Sequence, residues 1–130
     1  DLPIPIIGYI DFVFADTGVD LKTTARMPSK ASASNKRQLS IYAMHYKDKK
    51  SEVFYASPKE HKIFEITKQD IEIYQKQVKY IAMSIMKFLS ISDDKEELAS
   101  MVLPDADDWK WSEEMINEVK DKVQAWKGIL

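Results

Sequence analysis

The order of strand-like and helical segments limits this chain more than any other feature of its sequence. The first half carries two apolar runs around a turn, then a helical segment, then two further apolar runs. From Thr67 onward the apolar residues recur at helical spacing. A helix between two strand pairs is typical of proteins built around one small mixed sheet. We therefore predict an α/β fold with a small mixed β-sheet, a helix between the strand pairs and a C-terminal helical segment.

Turn and capping residues set the expected boundaries of these segments. The predicted elements are strands over Leu2–Phe14 and 19–25, a helix over Lys36–Tyr46 capped by Ser34 or Asn35, strands over 52–57 and 61–67, a helix from Thr67 to about residue 90, a short helix over 93–102, and a last helix from Ser112 to Gly128.

Length and composition bound the classes of protein that fit. The 130 residues suffice for one domain, which we expect to comprise a core over 1–67 and C-terminal helices over 68–130. The absence of cysteine excludes disulfides and thiolate metal sites and favours a cytoplasmic location. No apolar run approaches the ~18 residues of a membrane helix. The net charge of −2 gives no global basic signal, so a nucleic-acid partner requires a local basic patch.

Acidic residues stand on two strand-like runs where apolar residues are expected. Asp11 interrupts a largely apolar face of the first run, and Asp20 lies on the second. Paired strands lie about 5 Å apart, so the two carboxylates can converge, and a shared Mg²⁺ or Mn²⁺ ion would offset the cost of burying them. Lys22 points to the same face as Asp20. There its ammonium can orient or deprotonate an attacking water or stabilise charge on a phosphate.

Further polar residues follow on the next helix and in the loop before it. Gln38 and Tyr42 are four residues apart and share one helix face, where they can position a phosphate, a base or the metal-bound water. Four nearby cations are candidate phosphate contacts, namely Arg26, Lys30, Lys36 and Arg37. These residues together predict a site for metal-assisted phosphodiester hydrolysis.

The motifs GYID, VDLKT and QLSIY occur in this order along the chain. They resemble the Gly-x-x-Asp, Asp/Glu-x-Lys and Gln-x-x-x-Tyr motifs of the PD-(D/E)XK nuclease superfamily, in its RecB-like exonuclease branch. The match covers about residues 4–46, and EVFYAS fits the next family strand. The resemblance implies a restriction-endonuclease-like fold and a Mg²⁺- or Mn²⁺-dependent deoxyribonuclease, an exonuclease or processing nuclease of phage or bacterial recombination and repair. The implied partners are single- or double-stranded DNA and a helicase or recombination protein, with no membrane.

The resemblance also implies roles for the matched residues. Metal binding falls to Asp11, Asp20 and the backbone carbonyl of Leu21, catalysis to Lys22, and completion of the site to Gln38 and Tyr42. Family members usually have a helix before the first motif, and we expect this domain to lack that helix because the sequence starts at Asp1. Some branches carry a cysteine-ligated iron–sulfur cluster. No such cluster is expected in a chain without cysteine.

Other interpretations stay open for the same residues. Asp11, Asp20 and Lys22 can form an ordinary salt bridge near a sheet edge, and the basic residues at 26–37 can belong to a solvated loop. For the whole chain, the alternative to a nuclease is a catalytically inactive nucleic-acid-binding or interaction module that retains the fold. A third alternative is a fragment that acts only when joined to an upstream segment or to a helicase partner.

Histidines, tryptophans and one acidic loop are interpreted as structural. His45 and His61 lack the spacing of metal ligands and are expected at the surface or at a strand edge. The tryptophans are expected to pack in the core rather than stack on bases. The acidic residues over 105–108 lack the glycine and the terminal glutamate of a calcium loop, so we expect a capped, solvated loop there.

Overall fold

The computed structural model describes residues 5–105, 107–108 and 111–127. The chain forms two compact units, Asp1–Met83 and Ser84–Leu130. The elements in chain order are β1 (Phe12–Val13), β2 (Thr17–Thr23), α1 (Ala33–His45), β3 (Lys50–Ala56), β4 (His61–Glu65), α2 (Lys68–Leu89), α3 (Lys95–Ser100), α4 (Glu113–Val119) and a 3₁₀ turn (Gln124–Trp126). Helix α2 begins in the first unit and ends in the second. Among the described residues, no helix combines the length and the apolar character needed to cross a bilayer.

The four strands of the first unit form one mixed sheet in the order β1-β2-β3-β4. The β1–β2 and β3–β4 pairs are antiparallel, whereas β2 and β3 are parallel, in a register from Thr17 opposite Lys50 to Thr23 opposite Ala56. Parallel strands require a crossover connection, and α1 provides it. The predicted α/β class, the small mixed sheet, the helix between the strand pairs and the C-terminal helices are all confirmed.

Helix α1 packs against one face of this sheet, which we call the inner face. The core between them is formed by Ala31, Leu39, Tyr42, Val53, Tyr55 and Ile66. Leu39 and Val53 have no exposed surface, and burying a side chain of this kind contributes about 1.5–3 kcal/mol. Packing at the inner face therefore fixes α1 against the strands, and these elements carry the predicted site.

The start of α1 is tied to β3. Ser32 caps the helix by accepting a hydrogen bond from the Asn35 backbone N–H at 3.1 Å, and the Asn35 amide donates to the Tyr55 hydroxyl at 2.6 Å. The helix thus begins at Ala33, and the predicted start at Lys36, with Ser34 or Asn35 as the cap, is wrong. The Asn35 side chain thus binds a strand residue 20 positions away. The local sequence does not reveal this contact.

The first strand is much shorter than the predicted Leu2–Phe14, of which residues 2–4 lie outside the described part. Only Phe12 and Val13 pair with β2, opposite Val19 and Gly18. The ladder stops at Asp11 because its side chain, in place of a main-chain carbonyl, accepts the Leu21 N–H at 2.7 Å. The predicted hairpin is confirmed, but its first strand is reduced to two residues.

Helix α2 starts where its capping residue predicts. The Thr67 hydroxyl accepts a hydrogen bond from the Asp70 N–H at 3.1 Å, and the helix ends at Leu89, close to the predicted residue 90. Its apolar stripe is only partly covered, since Val78 is buried but Ile81 is 45% exposed.

The second unit confirms some of the C-terminal predictions and corrects one. Asp94 caps α3, and Ser112 caps α4 by accepting from the Met115 N–H at 3.1 Å. The last helix ends at Val119, so its predicted extension to Gly128, itself outside the described residues, is wrong. Trp126 is buried and its indole N–H donates to the Val102 carbonyl at 2.8 Å, which confirms its core role.

The other C-terminal predictions concern the acidic loop and the remaining tryptophans. The Asp105 carboxylate accepts from the Asp107 N–H at 2.9 Å, as expected for a capped loop. Trp111 is partly buried. Trp109 lies outside the described residues.

Candidate functional site

Four predicted site residues meet on the inner face of the sheet. Asp20 and Lys22 lie on β2, and Gln38 and Tyr42 lie on α1 one turn apart. Lys22 Nζ lies 2.9 Å from Asp20 Oδ2 and donates to Gln38 Oε1 at 3.1 Å. The Gln38 amide nitrogen then donates to the Tyr42 hydroxyl at 2.9 Å. One continuous line of polar contacts therefore runs from the centre of the sheet to the helix.

Asp20 is the most unusual group in this line, because its side chain is only 1% exposed. The Lys22 ammonium is the charged partner of Oδ2, and the described residues offer this oxygen no second hydrogen-bond donor. Burial raises the pKa of the Asp20 carboxyl; nearby Lys22 opposes this shift, and Asp11 adds to it. A buried carboxylate oxygen without its full set of hydrogen bonds is costly unless another group compensates it.

Asp11 reaches the site from the neighbouring chain segment. Its carboxylate accepts the Leu21 N–H at 2.7 Å, and extension of the β1–β2 register places Asp11 opposite Asp20. In an antiparallel ladder, the N–H and C=O of a hydrogen-bonded residue point to the same neighbour. The Leu21 carbonyl therefore faces the strand edge where Asp11 lies.

Tyr42 is held on two sides, which explains the glycine of the first motif. Its hydroxyl donates to the Tyr9 carbonyl as well as accepting from Gln38. A Cβ atom at Gly8 would lie 2.9 Å from Cε1 of the Tyr42 ring, closer than such atoms normally approach. Gly8 thus lets the chain before Asp11 pass directly over the tyrosine.

The residues suited to a divalent metal are the two carboxylates and the Leu21 carbonyl. Asp20 Oδ2 is a buried oxygen paired with the Lys22 ammonium, without a second donor among the described residues, and hard oxygen donors are those that Mg²⁺ and Mn²⁺ prefer. Within the described ranges, no cluster of three or more His, Asp or Glu side chains forms a ligand set. The donor set fits a metal that takes its other ligands from water and substrate, as Mg²⁺ usually does.

The four predicted phosphate contacts separate into two pairs. Arg26 and Lys30 are exposed in the loop before α1. Lys36, in contrast, forms an ion pair with Asp70 of α2 at 2.8 Å, and this contact raises the pKa of Lys36. Arg37 donates to Gln77 Oε1 of α2 at 3.2 Å. Two of the four predicted phosphate contacts, Lys36 and Arg37, therefore bind residues of α2.

Tyr9 is the site contact that the sequence analysis did not identify. It contributes its backbone carbonyl, which no residue-type pattern reveals, although its position next to Gly8 in the motif is a signal. The two histidines lie outside the site as expected. His45 packs edge-on against Tyr46 with ring centroids 4.8 Å apart, and His61 stacks on Phe54 at 5.4 Å.

Comparisons with protein-family models, with curated proteins and with solved structures find no match to this chain. The assignment of a function therefore rests on the residues of the site and on their geometry.

Proposed function

We propose that this chain is a metal-dependent deoxyribonuclease with a restriction-endonuclease-like fold, of the RecB-like branch of the PD-(D/E)XK superfamily. The observation that carries the proposal is the buried Asp20 carboxylate, which is ion-paired with Lys22 at 2.9 Å and lies opposite Asp11 in the extended strand register. An ordinary surface salt bridge requires neither this burial nor the second acid. DNA as the substrate, a recombination or helicase partner and a cytoplasmic location belong to the same proposal.

Asp11, Asp20 and the Leu21 carbonyl would hold the Mg²⁺ or Mn²⁺ ion. When bound, the metal supplies a Lewis acid that lowers the pKa of water and neutralises charge on a phosphate oxygen. The protein's own contribution is to position charge. Lys22 keeps about a third of its side chain exposed, so its ammonium can donate to a phosphate while Asp20 and Gln38 fix its direction.

Gln38 and Tyr42 act on the substrate through Lys22. The Gln38 carbonyl oxygen accepts from Lys22, and its amide nitrogen is fixed by the Tyr42 hydroxyl. The Tyr42 hydroxyl is in turn fixed by the Tyr9 carbonyl. This order of donors leaves the glutamine only one orientation in which both of its ends are satisfied. Its function is therefore to hold the ammonium in place.

Cleavage of end-labelled single- and double-stranded DNA with Mn²⁺ or Mg²⁺ tests the proposal. We expect Asp20→Asn and Lys22→Gln to reduce the cleavage rate at least 100-fold, because each removes a charge from the reacting centre. Matched controls are Asp16→Asn, an exposed carboxylate that accepts a hydrogen bond from the neighbouring Thr17 hydroxyl, and Lys59→Gln on the β3–β4 turn. Full activity in Asp20→Asn contradicts the site assignment.

Metal binding separates the nuclease from a module without turnover. Calorimetry with Mn²⁺ should show binding that Asp11→Asn removes. DNA retained without cleavage, together with no heat of Mn²⁺ binding, would instead support the inactive binding module.

A further inference from the structure

A cavity of about 540 Å³ lies at the C-terminal end of α1, next to the candidate site. We call it the α1 cavity and define it by Ile6, Gly8, Tyr42, His45 and Tyr46, which line it together with further apolar side chains of α1. Cavities of this size with a mainly apolar and aromatic lining are typical binding sites for small molecules or for parts of larger ones. The α1 cavity is therefore a candidate binding site in addition to the predicted metal site.

Tyr42 is the residue that the α1 cavity shares with the candidate site. Its hydroxyl accepts a hydrogen bond from the Gln38 amide, whose carbonyl oxygen accepts from Lys22. Gln38, Tyr42 and the C-cap residue Tyr46 recur every four residues and so follow one face of α1. Each step of four residues rises about 6 Å along the helix. A phosphate bound beside Lys22 would thus have the base of a neighbouring nucleotide within reach of the cavity.

The lining of the α1 cavity favours an uncharged aromatic ligand. Among the described residues that line it there is no carboxylate, lysine or arginine, and the partial negative charge at the C-terminal end of a helix disfavours a phosphate there. The ring of His45 stands edge-on to that of Tyr46 with centroids 4.8 Å apart, and aromatic side chains stack on bases. The ring nitrogens of His45 and the last backbone carbonyls of α1 offer hydrogen bonds. A nucleobase combines the properties that this lining matches.

We propose that the α1 cavity binds the base of an unpaired nucleotide next to the scissile phosphodiester. This inference rests on the proposed nuclease function and names its substrate class, which is single-stranded DNA or a frayed end of a duplex. A base inside a duplex must first leave its stack and its partner before it can enter a cavity. Occupation of the α1 cavity therefore selects single strands over intact duplexes.

Binding of a labelled single-stranded oligonucleotide in EDTA tests the cavity without cleavage. By fluorescence anisotropy, we expect Tyr46→Ala to weaken binding at least fivefold, whereas Tyr80→Ala on α2, where the tyrosine is 74% exposed, should leave it unchanged. The bond that the Tyr46 backbone N–H donates to the Tyr42 carbonyl remains possible in Tyr46→Ala, so the end of α1 should be kept. Neither substitution should change the affinity for a blunt-ended duplex.

A second pair of variants fills the cavity instead of removing part of its wall. Ile6 is 47% exposed and Ile73 on α2 is 45% exposed, so both positions accommodate a larger side chain at the surface. We expect Ile6→Trp to weaken binding of the single strand at least fivefold, because the indole occupies the space of the base. The matched variant Ile73→Trp should bind as the original protein does.

Cleavage of oligonucleotides that lack one base identifies the nucleotide that enters the cavity. With Mn²⁺, removal of the base next to the scissile bond should lower kcat/KM at least fivefold for the original protein but not for Ile6→Trp. Cleavage that is insensitive to a missing base at every position, or equal binding by the two variants of either pair, would overturn this inference and leave the nuclease assignment in place. Binding that depends on Tyr46 and on Ile6 without any cleavage would instead contradict the nuclease assignment and support the cavity.

Discussion

Replacement of Gly8 by alanine is a direct test of how the site is packed. The added Cβ would lie 2.9 Å from Tyr42 Cε1, whereas carbon atoms in contact are normally about 3.5–4.0 Å apart. The ring must therefore move by roughly 0.6 Å or more. Tyr42 is buried, and its hydroxyl bonds to both Tyr9 and Gln38, so this movement disturbs two hydrogen bonds together with the packing.

The expected cost follows from two opposing terms. Overpacking of a filled site costs about 1–3 kcal/mol, while a Gly-to-Ala change returns about 0.4–1 kcal/mol by restricting the unfolded chain. We expect Gly8→Ala to lower the free energy of unfolding by about 1–2 kcal/mol. For a unit of this size, each kcal/mol lowers Tm by roughly 4–8 °C.

Thermal and urea unfolding followed by circular dichroism measure this change, and Gly18→Ala is the matched control. A Cβ at Gly18 would also lie 2.9 Å from its nearest neighbour, but that atom is the flexible tip of Ile10, so we expect stability equal to or slightly above that of the original protein. Combined with Tyr42→Leu, Gly8→Ala should lose most of its cost. Equal stability of the two alanine variants, or additive effects of Gly8→Ala and Tyr42→Leu, would refute the packing argument.

Three further predictions concern charge and the second unit. Burial raises the pKa of Asp20, so the folded protein loses stability as the pH rises from about 3.9 through the raised pKa. Without metal, in EDTA, Asp20→Asn should therefore raise Tm at pH 7. Thermal scans should show that this gain in Tm vanishes below about pH 3.9. Arg26→Ala combined with Lys30→Ala should weaken oligonucleotide binding and reduce the slope of log K against log[salt] by about 0.7–0.9 per lost phosphate contact. Lys36→Met should change neither the affinity nor the slope in anisotropy titrations, because the Lys36 ammonium is already paired with Asp70. Trp126→Ala should destabilise the second unit by about 3–5 kcal/mol in urea unfolding, because the indole is buried and hydrogen-bonded.

The sequence predicted those parts of the fold that depend on local pattern. Hydrophobic periodicity located β2, β3, β4 and α2, and Thr67 and Ser112 cap helices as expected. The start of α1 was missed because Ser32, Ser34 and Asn35 all suit a helix cap, and the choice among them depends on the bond from Asn35 to Tyr55. The last helix was extended too far because spacings of three and four residues fit both an α-helix and the 3₁₀ turn that ends at Trp126.

The geometry of the candidate site follows the same division. That Asp20 and Lys22 share one face of a strand, and Gln38 and Tyr42 one face of a helix, could be predicted because the periods of strands and helices determine it. The pairing of Lys36 with Asp70 could not, since it joins residues 34 positions apart and depends on how α2 lies along α1. The exposure of Phe12 and Ile63, on the sheet face opposite α1, was not predicted either, because alternation alone does not tell which side of a sheet a helix covers.

The hydrogen bond from the Leu21 amide to Asp11 makes that amide a reporter of the site. Its protection from exchange with solvent depends on a side-chain carboxylate instead of on a strand ladder. Any event that moves or neutralises the carboxylate should therefore accelerate deuterium uptake at this one position while Val53, in the centre of the sheet, stays protected. A single backbone resonance can thus follow occupation of the site in an otherwise unchanged protein.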